Sequence, residues 1–410
     1  MSVTSPSPFE TLFSRKAQDL PGLRVGDPRK SAELISFFAG FPDRDSLPKE
    51  SVISATKTAL EREGEWALQY GHGLGDRKLA GLLRDKLDRD FGIRADVDQI
   101  LITAGASQAI GLAIDTLVDW GDVILTEAPT WMGAVRMFSN AGARAIGIPV
   151  DKHGTNVEAL ESTLADLKSQ GITPKFIYVI PNFQNPSGVS TTLERRMRII
   201  ELAHEYGTLI FEDDAYADLR YSGEKIPPIH ALDKHGATLY FSTLSKTLGA
   251  GMRLGWVVAH PSLIAKMAVL KVDGSTNVFG AHVAAEWIPE HLDNHIQQLV
   301  GIYRTRRDLM LDALEKHFPE GATWTTPEGG FFIWVTLPEV LDTTAMAPQA
   351  RERGVEYLPG KTCFVDGSGD NMLRLSYSFA RDEEIEPGIR ILGEIIHGEL
   401  AESGRGPNNT

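Results

Sequence analysis

Between residues 99 and 259 the chain alternates short apolar runs with segments whose apolar residues return every three or four positions. The runs Gln99–Thr103, Val123–Thr126, Ala143–Pro149, Phe176–Ile180, Leu209–Glu212, Leu239–Ser242 and Gly255–Ala259 read as strands. Helical patterns fall between several of them, at Ser107–Val118, Thr130–Ala141, Val157–Ser169 and Leu193–Tyr206. In Ser107–Val118 the apolar face is Ile110, Ala113, Ile114 and Leu117, one side of a 3.6-residue repeat. Two helical patterns, Lys49–Glu63 and Lys78–Phe91, come before this rhythm. Strands that alternate with helices of this length predict an α/β fold, a mostly parallel sheet covered by helices on both faces.

The rhythm changes after about Pro261. Long helical patterns run to Phe318, then a smaller α+β region follows, with strands near Phe331–Val335 and Met372–Leu375 and a helix near Glu384–Leu400. Residues 1–45 are rich in breakers, among them Pro6, Pro21, Gly22 and Pro28, and read as an arm with one short helix around Phe9–Leu20. The expected division is an N-terminal arm (1–45) joining the small domain, a large domain (46–285) and a small C-terminal domain (286–410). In sheets of this kind ligands bind beyond the carboxyl ends of the strands.

Composition narrows the function classes. The 410 residues carry 41 Lys and Arg against 55 Asp and Glu, a net charge of −14, which disfavours nucleic acid as a partner. Any anion site must be a local cluster in a negative whole. A single cysteine, Cys363, excludes an intrachain disulfide and cysteine-rich metal sites. No apolar stretch has the length of a signal peptide or membrane span. The expectation is a soluble, cytoplasmic enzyme without a membrane partner.

Four strand ends gather candidate chemistry. Thr243-Leu244-Ser245-Lys246 follows a strand, with Gly249, Gly251 and Arg253 beyond it. A lysine desolvated at such a place is a candidate Schiff-base amine, and the hydroxyls and arginine suit a phosphate. Thr103-Ala104-Gly105-Ala106-Ser107-Gln108 joins a strand to a helix whose N-terminal N–H groups attract an anion, unless Ser107 is an ordinary cap. Glu212-Asp213-Asp214 would repel one another if all were buried and charged, so one faces a cation or the run is a solvated turn. Asn185-Pro186-Ser187-Gly188 ends the Phe176–Ile180 strand, in a run that by itself could be a plain turn.

Taken in order, Tyr70 with Gly71 and Gly75, the Gly105–Gln108 turn, Asn185-Pro186-Ser187-Gly188, Asp213-x-x-Tyr216, Ser245-Lys246 with Arg253, and Leu373-Arg374-Leu375-Ser376 form a series at characteristic separations. The series resembles the class I/II aminotransferases, fold type I enzymes that use pyridoxal 5′-phosphate (PLP). Phe183-Gln184-Asn185-Pro186 and the Ile35–Pro42 segment are most similar to the branch with 2-aminoadipate and kynurenine aminotransferases. The resemblance implies an aminotransferase that moves an amino group from an L-amino acid to a 2-oxo acid by a ping-pong mechanism. It implies that Lys246 links to PLP and moves the proton at the substrate α-carbon, and that Asp213 pairs with the pyridine nitrogen. Asn185 and Tyr216 would bond the ring hydroxyl oxygen, and Trp131 would cover a ring face. Ala106, Ser107, Thr243, Ser245 and Arg253 would hold the phosphate. Tyr70 would reach it from the partner subunit of a homodimer. Arg374 would grip the substrate α-carboxylate, with Asn185 and Gly40 also at the substrate and Arg24 meeting a distal carboxylate.

Some positions depart from the family pattern. In Phe38-Ala39-Gly40-Phe41-Pro42, Ala39 replaces a glycine and Phe41 adds bulk, and Gly280 stands where relatives carry Gln. Other reactions of the same cofactor remain open: elimination, decarboxylation, or making or breaking a carbon–carbon bond. A PLP-binding sensor is a further alternative, although residues 1–45 show no basic DNA-binding pattern. Gly71-His72-Gly73-Leu74-Gly75 follows no strand and so is no dinucleotide loop. His291 and His295, one turn apart, read as a solvated helix face rather than a metal site.

Overall fold

The computed structural model describes residues 33–273 and 275–403, together with Phe9, Leu12, Phe13, Ser14 and Ala17. The expected helix over Phe9–Leu20 falls largely outside the described residues, and Arg24 wholly so.

The elements run β1 (Ile35–Ser36), α1 (Lys49–Glu63), α2 (Arg77–Phe91), β2 (Ile100–Thr103), α3 (Ala106–Leu117), β3 (Val123–Ala128) and α4 (Met132–Asn140). Then come β4 (Arg144–Asp151), β5 (Gly154–Thr155), α5 (Val157–Ser169), β6 (Phe176–Val179), α6 (Leu193–Tyr206), β7 (Leu209–Asp213), β8 (Thr238–Thr243) and β9 (Gly255–Val258). The C-terminal part holds α7 (Pro261–Leu270), α8 (Val278–His317), β10 (Thr323–Trp324), β11 (Phe332–Thr336) and α9 (Thr343–Glu352). It ends with β12 (Val355–Glu356), β13 (Leu358–Pro359), β14 (Met372–Ser376) and α10 (Asp382–Ser403).

Eight strands form the large sheet in the order β2-β9-β8-β7-β6-β3-β4-β5. From β8 through β7, β6 and β3 to β4 every pairing is parallel, while β9 runs antiparallel to both neighbours. The uniform apolar runs have their cause here: β2 and β6 are buried at every position, because helices cover both faces. Side chains such as Leu101, Ile102, Ile177 and Phe211 are at most 1% exposed, each contributing roughly 1.5–3 kcal/mol by burial. The helices begin as their sequences dictate: Asp76 caps α2 at Leu79 N, 2.6 Å, and Asn156 caps α5 at Ala159 N, 2.8 Å.

The small sheet is antiparallel, β10-β11-β14-β13, and packs against α10 and the C-terminal part of α8. Parallel pairing of β1 with β12 ties the Ile35–Ser36 segment to this part of the chain. The forty-residue α8 packs on α1 and α2 at one end and α10 at the other, so residues 285 and 286 lie within one continuous helix. Helix α9, not expected from the pattern, buries only Thr343, Met346 and Ala350 and contains Pro348.

Candidate active site

The turns after β2, β6, β7 and β8 meet the Phe38–Phe41 segment and the edge of the small sheet around a cavity of about 440 Å³. Its lining includes Gly40, Ala106, Ser107, Trp131, Asn185, Asp213, Tyr216, Thr243, Ser245, Lys246, Arg253 and Arg374. Of the residues singled out in the sequence, Tyr70 is not among these; it is 82% exposed.

Lys246 leaves a wide turn in which the N–H groups of Thr247, Leu248 and Gly249 all donate to the Leu244 carbonyl. Its Nζ donates to the Gly40 carbonyl at 2.9 Å and lies 5.6 Å from the ring centres of both Tyr216 and Phe331. Burial brings the amine down to about 8, with Arg374 pushing the same way and Asp213 opposing. A neutral amine is therefore accessible near neutral pH, as nucleophilic chemistry requires.

The three successive acids separate by function. Glu212 turns away from the cavity and accepts from the backbone N–H groups of Ile229 and His230 at 2.7 and 2.8 Å. Asp214 accepts from Asn182 Nδ2 at 2.9 Å and the Tyr240 hydroxyl at 3.1 Å. Asp213 faces the cavity: its Oδ2 accepts from the Tyr178 hydroxyl at 2.6 Å, while its Oδ1 is buried without a partner. Burial pushes the Asp213 carboxyl up to about 6, against the pull of Tyr178 and Lys246. The reading of the run as a solvated turn does not hold, since all three are buried.

At the other end, the turn into α3 approaches Arg253. Arg253 Nη2 donates to the Ala104 carbonyl at 2.6 Å and Nη1 to Ala250 at 3.2 Å. Gly105, at φ 85°, admits the guanidinium, since a Cβ there would sit 2.8 Å from Arg253 Nη2. Gly255 gives clearance on the other side, where a Cβ would meet Ala106 N at 2.5 Å. The Thr243 and Ser245 hydroxyls lie 2.8 Å apart. Cation, hydroxyls and a helix N-terminus together suit a phosphate. Trp131 precedes α4, and Gly133 leaves room for its ring, which a Cβ would approach to 2.3 Å.

Arg374, on β14, is 5% exposed. Its Nη1 donates to Asn185 Oδ1 at 2.8 Å and its Nη2 to the Phe38 carbonyl at 2.6 Å, while Nε is buried without a partner. Its guanidinium carbon stands 4.1 Å from the centre of the Phe332 ring. Two side chains that line the cavity each keep a buried atom without a partner, Asp213 Oδ1 and Arg374 Nε, and this pair suits a ligand of mixed charge. An aromatic phosphate with a basic ring nitrogen, beside an amino acid carboxylate, fits this donor and acceptor set.

Sequence reading missed Glu127 and Tyr178. Glu127 is buried and accepts from Thr155 Oγ1, Ile180 N and Gln184 Nε2 at 2.8, 3.0 and 3.1 Å. It fastens the loop that carries Asn185; its only signal in the sequence is an acid inside an apolar strand. His295, expected on a solvated face, is buried and packs edge-on against Trp287, 5.7 Å between ring centres. Among the described residues no cluster of three or more metal-ligating side chains forms, and no helix is long and apolar enough to cross a membrane.

The sequence pattern of the class I and II aminotransferases matches residues 32–392, and the chain belongs to that family. The family is PLP-dependent, and the protein is an aminotransferase of fold type I. It is similar to the aromatic-amino-acid aminotransferase 1 of Thermococcus litoralis, 38% identical over 398 residues, 96% of this chain and 95% of that one. It is also similar to the 2-aminoadipate transaminase of Thermus thermophilus, 33% identical over 90% of this chain and 91% of that one. Among solved structures, the Pyrococcus horikoshii kynurenine aminotransferase with PMP superposes with a TM-score of 0.90 at 39% identity, covering 96% and 98% of the two chains.

Proposed function

We propose that the amine of Lys246 carries PLP and that two half-reactions in turn unload an L-amino acid and load a 2-oxo acid. The observation that supports this most is the meeting, in one cavity, of a buried amine near pKa 8 and a buried carboxylate with one unpaired oxygen. The bound cofactor supplies an electron sink for the α-carbon. The chain's residues do the rest. Lys246 Nζ takes the α-proton and returns it on the other side of the amino transfer, a contribution of about 10²–10⁴ in rate. Asp213 Oδ1 holds a cationic ring nitrogen, and Asn185 and Tyr216 hold the ring oxygen. Trp131 excludes water from one face. Ala106, Ser107, Thr243, Ser245 and Arg253 fix the phosphate. The Arg374 guanidinium, whose Nε has no partner among the described residues, would hold the α-carboxylate in a planar fit that lysine lacks.

Stopped-flow mixing with an amino acid alone should bleach the visible band in one stoichiometric phase, and a 2-oxo acid should restore it. Ammonia released without an acceptor would favour elimination instead.

The proposed division of labour follows the chain: residues 46–285 hold the cofactor, 286–410 carry Arg374, and the 1–45 arm joins the small domain, with Phe38–Phe41 on the substrate side. Arg24 would meet a distal carboxylate, so Arg24→Ala should weaken acidic donors selectively; equal loss for aliphatic and acidic donors contradicts that role. The exposed side chains Trp66, Leu68, Tyr70, Val272 and Phe279 favour a homodimer in which Tyr70 serves the second copy's phosphate site. A fully active monomer in solution would contradict it. A cytoplasmic location, tested by fractionation, goes with this reading.

A further inference from the structure

Asp213 and Asp214 are neighbours on the same strand end, and each accepts from one buried tyrosine. Tyr240 donates to Asp214 Oδ2, but Asn182 occupies Asp214 Oδ1, so that carboxylate is fully engaged within the protein. Tyr178 donates to Asp213 Oδ2 at 2.6 Å and nothing engages Oδ1. Tyr178 is fully buried on β6, one strand away from β7, and its ring packs edge-on against Phe138 with centres 5.4 Å apart. The ring is therefore held with its hydroxyl at Asp213 Oδ2.

We propose that Tyr178 is a positioning residue for the cofactor: by occupying one oxygen of Asp213 it keeps that carboxylate ionised and presents the other oxygen to the cavity. The inference rests on the PLP reading above and deepens it. A buried carboxylate holds its charge only if donors stabilise it. The other charged or titratable groups around Asp213 are Asp214 beside it, Lys246 after β8, Glu127 on β3 and the Tyr216 hydroxyl. Asp214 pushes the Asp213 carboxyl up and Lys246 pulls it down. Tyr178 is the hydrogen-bond donor in this set. Without it, Asp213 takes up a proton more easily and holds a ring N–H⁺ less firmly. A ring that keeps less positive charge withdraws fewer electrons, so the nitrogen joining it to Lys246 keeps its own proton to higher pH.

The experiment uses PLP itself with the full chain as wild type, Tyr178→Phe and Tyr240→Phe, each checked for folding by thermal melting. Two quantities are read: the dissociation constant of PLP from the apoprotein, and the pH midpoint of the bound cofactor's visible band. Tyr178→Phe should bind PLP about tenfold more weakly and move the midpoint upward, the scale of one lost hydrogen bond to a charged group. Tyr240→Phe should stay within about twofold of wild type with an unmoved midpoint, because Asp214 does not face the cavity. A Tyr178→Phe protein with wild-type affinity and midpoint overturns the proposal, as does a Tyr240→Phe protein that shifts both equally. If Tyr178→Phe does not fold, the same comparison on Phe138→Leu, which loosens the ring but keeps the hydroxyl, should give a smaller shift in the same direction; no shift there overturns it too. A wild type that shows no visible band with PLP is a different failure, that of the underlying reading.

Discussion

The side of the cavity that faces the large sheet is assembled from turns after strands β2, β3, β6, β7 and β8, each a short run of the sequence. The opposite side is assembled from Phe38–Phe41, Phe332 and Arg374, and the Arg374 to Phe38 hydrogen bond joins residues 336 apart. The first side is mainly polar and its key atoms are set by backbone turns. The second places aromatic and apolar side chains around one arginine, held by the small sheet and the β1–β12 pairing. In the proposed function the first side serves the cofactor's chemistry and the second the binding and choice of substrate. Substitutions on the sheet side should therefore lower kcat for every donor, and those on the opposite side should change KM, for all donors alike at Arg374 and donor by donor at its apolar neighbours.

The sharpest test of this division is Asp213→Asn, which keeps the shape and removes the charge. Turnover should fall by about 10²–10³ with all donors alike, measured as single-turnover rates. A loss confined to one class of donor would break the comparison. Arg374→Lys comes next. The lysine lacks the planar fork, so KM for amino donors should rise by about tenfold or more while PLP affinity stays near wild type. Weakened PLP binding in this variant would blur the two sides. A third effect concerns Lys246 in the apoprotein. Its pKa is lowered from the usual lysine value to about 8, so the neutral, reactive amine grows as pH rises through about 8. The rate of PLP uptake, followed by growth of the visible band, should climb through that pH and level off above it. A midpoint at the ordinary lysine value would mean that the amine is not desolvated. The smallest effect belongs to Gly40→Ala, whose Cβ would sit 2.9 Å from Phe332 Cζ. It should raise KM about threefold for bulky donors by overpacking and less for small ones, measured across a donor series.

The strand positions of the large sheet and the sheet-side residues were legible because each is local, whereas the order of the strands across the sheet was not. An apolar run followed by a distinctive turn, such as Ser245-Lys246 or Asn185-Pro186, carries its signal within a few positions. The strands β2, β3 and β6 to β9 form near the expected positions because burial on both faces leaves uniform apolar runs. Two-residue strands such as β1, β12 and β13 escaped, since their pairing partners are distant and two positions carry no period. Helix α9 escaped for a related reason: a proline and three buried residues make a thin stripe. At the site, the acidic run alone left open which acid faces a cation; the Asp213-x-x-Tyr216 resemblance pointed to Asp213, and the partners Asn182, Tyr240 and Tyr178 give the physical reason why it and not Asp214 faces the cavity. Glu127 and Tyr178 look like ordinary strand residues until neighbouring strands bring them beside the loop of Asn185 and the carboxylate of Asp213.

The claim on which the rest stands is that one amine, that of Lys246, joins the cofactor to this chain. PLP-loaded protein can be treated with borohydride, which makes such a link permanent, then digested and weighed peptide by peptide. The phosphopyridoxyl mass should sit on the peptide containing Lys246 and disappear in Lys246→Ala. Label on a different lysine, or none on a protein that still turns over, would contradict the account.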